Sequence, residues 1–358
     1  MTIRFLKAGN GDCISITYRD GKAKNRNIVI DGGRSATYFD TRFNRKGPLR
    51  KEIDRIRSNG EKIDLLVLSH IDNDHIEGFL SWFSKDKKAS ALVERVWFNS
   101  GKSIAKELKE KENKDLAFNV DLPGNTNTGV PEALEFEEYL TKGSIWDGKL
   151  IGAGSKLSLH GIDLEVLTPT LQQLRKLVRE YYKNTGEDIY TAADVDDWKQ
   201  DIKDIIALEQ KKGFRFRQDR SVKNGSSITI LMTYGGKRFL FLADSHPIAV
   251  KKQLHALGFG KNNPLVVELF QVSHHGSKAN MHKHLLEIIK TDNYVFSTNS
   301  VRHGHPHKAT IARVVSENPK ANLFFNYDKV KSGILTPQDR KDFPNVEPKL
   351  ITEYVVNL

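Results

Sequence analysis

Four residues of metal-ligand type fall within six positions of this chain: His70, Asp72, Asp74 and His75, in the run Ser69-His-Ile-Asp-Asn-Asp-His75. Imidazole nitrogen and carboxylate oxygen offered together suit zinc, manganese or iron better than calcium or magnesium. The spacing i, i+2, i+4, i+5 does not follow one helix face. It suits a loop leaving a strand, where alternate side chains converge and the next turn brings in the last ligand. Directly before it stands Ile63-Asp-Leu-Leu-Val-Leu68, an apolar run of the kind that forms a strand buried on both faces. Four ligand types in six positions at the end of a buried strand are hard to reconcile with an ordinary polar loop.

Three other runs repeat the pattern of an apolar strand that ends in a chemically capable residue. Phe239–Ala243 leads into Asp244, and Leu269–Ser273 leads into His274-His275-Gly276-Ser277-Lys278. The strand Tyr294–Ser297 is followed by His303-Gly-His305-Pro-His307. Taken singly, Asp244 reads equally well as a cap for a helix starting near Pro247. The His303–His307 tract on its own would pass for a metal-loving surface stretch. Near the start of the chain, Ile28-Val-Ile30 runs into Asp31-Gly32-Gly33 and predicts a strand with a tight turn.

The elements that must position these residues alternate along the chain. Short β-branched runs at Ile3–Leu6, Cys13–Tyr18 and Asn27–Ile30 predict strands, punctuated by Gly9-Asn10-Gly11-Asp12 and Asp20-Gly21. Pro48–Asn59 carries apolar residues at helical spacing, and a helix begins near His75 with Phe79, Leu80 and Phe83 on one side. Val93–Phe98 predicts a strand and Ser103–Glu112 a charged helix. Residues Asn113–Val130 predict a loop or lid, and Pro131–Leu140 a short helix. Lys156–Leu167 predicts a hairpin around Gly161, and Gly235-Gly236 joins two more strands. Helices are expected at Pro247–Leu257, His284–Lys290 and Lys308–Val315, with strands at Leu265–Val272 and Leu323–Asn326 and an edge strand in Leu350–Leu358. Strands that come singly between helices, with hairpins near the start and middle, predict an α/β chain of mixed sheets covered by helices. The 358 residues read as a single domain with a charged, helical insertion at about 171–220.

Composition narrows the function classes. One cysteine, Cys13, excludes an intrachain disulfide and a cysteine zinc site, fits a cytoplasmic location, and reads as a buried structural thiol. The first residues do not read as a signal peptide, and no window of 18 apolar residues occurs, so no membrane partner is expected. The net charge is +11, with 56 Lys+Arg against 45 Asp+Glu. A basic surface favours anionic, phosphate-containing partners, nucleic acid among them. Lys211-Lys-Gly-Phe214-Arg215-Phe216-Arg217 alternates aromatic and cationic residues, a pattern that suits base stacking with phosphate contact and equally an amphipathic strand edge.

In their order along the chain, strand-Asp31-Gly-Gly, strand-His70-x-Asp-x-Asp-His75, strand-Asp244, strand-His274-His-Gly-Ser277 and Gly304-His-Pro306 resemble the metallo-β-lactamase superfamily. The likeness is strongest to the branch that includes the hydrolase domain of the ComEC/Rec2 DNA-uptake proteins, which has His-x-Asp-x-Asp-His and the run seen here as Asn224-Gly-Ser-Ser227. The resemblance covers residues 3–325 in pieces and leaves 113–130 and 171–220 without a counterpart. It implies a four-layer αββα sandwich of two mixed sheets flanked by helices. It also implies one or two divalent ions, zinc or manganese. His70 and Asp72 would hold one; Asp74, His75 and one of His274 or His275, with His274 favoured, would hold the other, and Asp244 would bridge. Asp31 would orient a ligand histidine. The superfamily's usual further histidine has no clear match, since His160 lies in a predicted hairpin, and the first site is therefore expected to be open, weak or empty.

The implied chemistry is hydrolysis by a metal-activated water. Asp72 or Asp74 would orient that water, and His305, or less readily His303, would donate a proton to the leaving oxygen. Ser277 and Lys278 are candidates for binding an anionic substrate, with His275 beside them. Three readings stay open: a phosphodiesterase or nuclease, favoured here; a hydrolase of a small ester, cyclic nucleotide or lactone; and a non-catalytic effector with a degenerate metal site. The 171–220 insertion is a candidate contact for a protein partner or a second copy.

Overall fold

The computed structural model describes residues 1–108, 129–182 and 197–357. A first sheet runs in the order β18 (Glu353–Val355), β1 (Thr2–Phe5), β2 (Ile14–Arg19), β3 (Asn25–Ile30), β6 (Leu65–Val67), β7 (Val96–Trp97). A second runs β17 (Pro348–Leu350), β16 (Asn322–Phe325), β15 (Asn293–Phe296), β13 (Leu269–Gln271), β11 (Lys237–Phe241), β10 (Thr229–Tyr234), β9 (Ile162–Thr168), β8 (Lys156–Leu159). Two short ribbons, β4 (Phe39–Asp40) with β5 (Arg45–Lys46) and β12 (Leu265–Val266) with β14 (Ile289–Lys290), lie outside them.

Both sheets are mixed. In the first, β1, β2 and β3 pair antiparallel, whereas β3, β6 and β7 pair parallel. In the second, β8 to β11 pair antiparallel, with β8–β9 and β10–β11 as hairpins, and β11, β13, β15 and β16 run parallel. The period-two alternation of side chains assigns each residue to a layer. Ile28, Ile30, Leu65 and Val67 point inward and meet Leu164, Ile230, Met232, Phe239 and Leu269 of the other sheet. Their neighbours Val29, Leu66 and Leu68 point outward, into a core closed by Ile53 and Ile56 of the helix Pro48–Ser58 and by Phe79 of the helix Asn73–Lys85. On the far side, Leu240, Phe270 and Tyr294 face the helices Pro247–Ala256 and Lys308–Glu317. The result is the four-layer αββα sandwich, and the β6 run is apolar throughout because both its faces are covered.

The segment 171–220 is less peripheral than its charge suggests. Leu174, Leu177, Val178 and Tyr181 of the helix Leu171–Tyr182 are buried in the core beside the first sheet. Ile202 and Ile205 of the helix Ile202–Gln210 are buried beside the second. Asp197 accepts hydrogen bonds from the Lys308 and Ala309 N–H groups, where the exposed amides of a helix N-terminus favour a carboxylate. The charged residues occupy the outer faces, and the few apolar ones suffice to stitch the segment to both halves. The expected lid at 113–130 lies almost wholly outside the described residues. The run expected as one strand at Leu265–Val272 divides into β12 and β13, because Val266 turns out to solvent to pair with β14. Among the described residues no helix is long and apolar enough to cross a membrane.

Parallel pairing places the chemistry. The ends of β3, β6, β11, β13 and β15 lead directly into Asp31, Ser69-His70, Asp244, His274-His275 and Ser297. In an α/β sandwich these carboxyl ends are the edge at which sites form.

Candidate metal centre

Each histidine is turned by the partner of its Nδ1. Asp31 Oδ2 lies 2.8 Å from His75 Nδ1, so that nitrogen donates to the carboxylate. Ser69 Oγ gives its single proton to Asp31 Oδ2 at 2.7 Å and is left to accept from His70 Nδ1 at 3.0 Å. His275 Nδ1 faces the Ser297 carbonyl at 3.0 Å and must donate to it. Asn280 spends its amide hydrogens on Asp219 and the Asp244 carbonyl, which leaves its oxygen to accept from His274 Nδ1 at 3.0 Å. With all four Nδ1 atoms committed as donors, all four Nε2 atoms are left for the cavity.

They converge on Asp244. Its Oδ1 lies 3.6 Å from His75 Nε2 and 3.7 Å from His275 Nε2. Its Oδ2 lies 3.7 Å from His70 Nε2 and 3.5 Å from His274 Nε2. Asp74 Oδ2 stands 3.8 Å from His275 Nε2, and Asp72 Oδ2 stands 3.6 Å from His70 Nε2. The site thus has two lobes. Asp244 Oδ2 faces His70 and His274, with Asp72 beside His70; Asp244 Oδ1 faces His75 and His275, with Asp74 beside His275. For zinc–nitrogen bonds of about 2.0–2.1 Å, ligand atoms at the corners of a tetrahedron are about 3.3–3.4 Å apart. The observed spacings need only a few tenths of an ångström of contraction. The nitrogens His70 Nε2, His75 Nε2 and His275 Nε2, with Asp244 Oδ1 and Asp12 Oδ1, are buried and lack any hydrogen-bond partner. A buried polar atom left unpaired costs about 1–3 kcal/mol. Five such atoms, all of ligand type and gathered in one place, fit a divalent ion as the missing partner.

The electrostatics agree. Burial alone would push the histidines toward neutrality, yet Asp244 and Asp31 hold His75 well above its ordinary value. Asp244 and Asp219 likewise hold His274 up at about 10. Asp244 is kept ionised against its burial by His274, His275 and His75. A pocket that draws protons onto His75 and His274 has a field made for cations. His305 behaves oppositely: burial, then His274 and the other nearby imidazoles, hold it well below its usual value. It is therefore a neutral ring, able to donate one N–H to a substrate oxygen, and not a store of an extra proton.

Of the residues singled out in the sequence, His70, Asp72, Asp74, His75, Asp31, Asp244, His274 and His275 come together. The placement of the two neighbouring histidines is a correction: His275, not His274, stands beside Asp74 and His75. The cause is local backbone. His274 and His275 both adopt positive φ, 49° and 55°, so successive side chains face the same cavity instead of alternating across it. His274 Nε2 thus stands 3.5 Å from Asp244 Oδ2, in the lobe expected to be short of a histidine. His160 sits in the β8–β9 turn, 3.6 Å from Asp64 and apart from these residues. His305 reaches the site's edge, its ring centroid 5.0 Å from that of His274, and His303 stands exposed beyond it at 5.8 Å from His305. Ser277 is buried and accepts from the Ala279 N–H. Lys278 donates its backbone N–H to His307 Nδ1, so both belong to the turn that carries the histidine pair.

Four residues were not legible beforehand. Asp12 joins His75, Asp244 and His275 in a group whose ligand atoms all lie within 4.8 Å of one another. It is held by the Gln271 amide at 2.8 Å. It had read only as turn punctuation after Gly11, whose missing side chain lets the Asp74 carbonyl pack against it. Asp219 and Asn280 support His274, and Lys223 lies 3.2 Å from Asp72 Oδ1. Among the described residues, five of the ten non-glycine positions at positive φ are Asp31, Ala243, His274, His275 and His303. Strained backbone gathers where ligand geometry demands it.

A family model described as the metallo-beta-lactamase superfamily matches residues 9–298. The chain belongs to that superfamily. Membership places it among metal-dependent hydrolases in general. No curated protein matches it. Among solved structures it is similar to CmlA, a diiron β-hydroxylase from Streptomyces venezuelae, at 12% identity and a TM-score of 0.39, over 100% of this chain and 54% of that one. It is also similar to a HARLDQ-motif mutant metallo-beta-lactamase from Cronobacter sakazakii, at 13% identity and a TM-score of 0.34, over 88% and 90% of the two chains. The chain thus spans about half the length of CmlA. At these scores neither likeness bears on the chemistry.

Proposed function

We propose that this chain is a metal-dependent phosphodiesterase acting on nucleic acid or a nucleotide. The observation that carries the metal-dependent part is the convergence of the four Nε2 atoms on the two oxygens of Asp244. Bound there, divalent ions would supply Lewis acidity, acidifying a water and taking up charge that develops on the substrate oxygens. His70, Asp72, Asp244 and His274 would hold one ion; Asp74, His75, Asp244 and His275 would hold the other.

The chain's own residues do the rest. Asp31, Ser69, Asn280 and the Ser297 carbonyl fix each imidazole before substrate arrives. Asn10 donates to Asp74 Oδ2 at 2.6 Å and leaves Oδ1 to take a proton or orient water. Against its burial, His70 and Lys223 hold Asp72 well below the usual carboxylate range, which makes Asp72 a poor proton acceptor. Neutral His305, at the edge of the site, is placed to donate a hydrogen bond to a phosphoryl or leaving oxygen. Support for a phosphate-containing substrate comes from the net charge of +11 and from the ring of imidazoles His274, His303 and His305 beside the cluster. The aromatic–basic run gives less support. Phe216 is spent internally, edge-on to His282 at 4.5 Å and under the Arg313 guanidinium at 5.1 Å, so only Phe214 projects to solvent.

The test is hydrolysis of bis(p-nitrophenyl) phosphate with zinc and with manganese, by wild type and Asp74→Ala, with single-stranded DNA under the same conditions. Metal-dependent turnover lost in Asp74→Ala is the expected result, and DNA cleavage would separate a nuclease from an enzyme of small diesters. Charge reversal at Arg215 and Arg217 should weaken DNA binding and lower its salt dependence. Metal-loaded protein inert toward phosphodiesters but active on esters or lactones would overturn the phosphodiesterase reading.

A further inference from the structure

The proposed chemistry uses Lys223 only for its effect on the Asp72 carboxylate. Lys223 lies in the short helix Val222–Gly225, with its side chain only 8% exposed and its Nζ 3.2 Å from Asp72 Oδ1. The other oxygen of the same carboxylate faces His70 Nε2. The backbone beneath it is pinned: Ser221 Oγ accepts from the Asn224 N–H, and Ser226 Oγ donates to the Lys223 carbonyl at 2.6 Å. A lysine so enclosed cannot swing its charge into bulk water when a divalent ion arrives. Ion and ammonium would share one carboxylate at close range in a buried setting, where like charges repel strongly.

Among the described residues, the other lobe has no such competitor within its ligand set. Asp12, His75, Asp244 and His275 lie within 4.8 Å of one another, and the additional groups near them are carboxylates and neutral hydrogen-bond donors: Asp74, Asn10 and Gln271. The Asp12–His75–Asp244–His275 cluster and the buried ammonium are therefore on opposite sides of the Asp244 carboxylate. His274, on the lysine side, is also the most exposed of the four histidines, its side chain 23% accessible against 0–2% for the others.

We infer that Lys223 is a built-in cation of the first lobe, which makes the two lobes unequal: one divalent ion is held tightly among Asp12, His75, Asp244 and His275, with Asp74 beside them, and a second, near His70, Asp72 and His274, binds weakly because the Lys223 ammonium stands beside Asp72. Lys223 is thus a positioning residue that sets how many ions the protein carries. The inference rests on the metal-centre reading above and goes beyond it in assigning the order of loading. Asymmetry of this kind suits a site where the second ion arrives with an anionic substrate whose charge offsets the repulsion.

The experiment reads metal binding, not turnover. Metal-free full-length protein is titrated with manganese and with zinc by calorimetry, and bound metal is counted after desalting, for wild type, Lys223→Met, His70→Ala and His275→Ala. Wild type should retain one ion per chain, with a second event at least about tenfold weaker. His275→Ala should lose the retained ion and His70→Ala should keep it. Lys223→Met should tighten the second event by about tenfold or more and leave the first unchanged. Two ions of equal affinity in wild type, or a retained ion lost from His70→Ala and kept by His275→Ala, would overturn the inference while leaving the metal-centre reading intact. No binding by any form would overturn both. The two histidine variants test the loading order without touching Lys223, so the inference stays exposed if Lys223→Met folds poorly.

Discussion

Exchanging Asp31 for asparagine alters one oxygen and leaves the shape of the side chain unchanged. Asp31 is fully buried at φ 58°, a conformation that asparagine tolerates better than other side chains, so the backbone is not what the substitution tests. Oδ1 of Asp31 accepts from the Ser69 N–H at 2.7 Å, and asparagine keeps that bond with its own oxygen. Oδ2 accepts from both Ser69 Oγ and His75 Nδ1. An amide nitrogen in its place confronts two donors with a donor. His75 can answer only by taking the other tautomer, which puts a proton on Nε2, the atom aimed at Asp244 Oδ1. The protein loses a buried charged hydrogen bond, worth about 1.5–3 kcal/mol. Metal affinity should fall by about 10–100-fold, or about 1.4–2.7 kcal/mol, the usual cost of losing a residue that orients a ligand. Competition against a chromogenic chelator reads the affinity, and thermal unfolding of the metal-free protein reads the fold. A folded Asp31→Asn with wild-type metal affinity would refute the chain of reasoning from Asp31 through His75 to the ion.

Other expectations follow from the same geometry. Because His274 is held up at about 10 and His75 is also raised, both carry protons near neutrality in the metal-free protein. Loading must expel those protons, so affinity should rise with pH, and calorimetry in buffers of different ionisation enthalpy should show net proton release. Glu52 is buried, yet hydrogen bonds from Arg55 and Ser15 hold its carboxyl below the ordinary range. Its contribution is therefore present above the unfolded value of about 4.3 and is lost as pH falls through the lower folded value. The stability gap between wild type and Glu52→Gln, about 1.5–3 kcal/mol at pH 7, should shrink in acid denaturation series. Gly78→Ala should destabilise by about 3 kcal/mol, since a Cβ there collides with the Gly32 carbonyl beside Asp31; chemical denaturation would measure it.

Much of the scaffold was legible because it rests on short-range pattern. The apolar run Ile63–Leu68 reads as a doubly covered strand, and Leu66 and Leu68 are in fact buried on one face with Leu65 and Val67 on the other. The four-layer order came from the resemblance and was not readable from strand lengths alone. Within the site, residues at strand ends were legible because an apolar run marks where the chain emerges. Asp12, Lys223 and Asp219 were not, since each comes from a turn or short helix and gains its meaning from chain many positions away. The choice between His274 and His275 depended on two consecutive left-handed residues, a conformation that neither histidine's identity announces. The segment 171–220 looked peripheral because charge dominates its composition, whereas a handful of apolar residues at helical spacing decides its packing.

The central claim is that the two oxygens of Asp244 and the four Nε2 atoms around them form a metal centre. Anomalous diffraction from crystals of the manganese- or zinc-loaded protein tests it directly. The account predicts a strong peak within bonding distance of His75 Nε2, His275 Nε2 and Asp244 Oδ1, with a weaker one or none beside His70 and Asp72. Metal-loaded crystals with no peak at Asp244, or with the ion elsewhere, would contradict it.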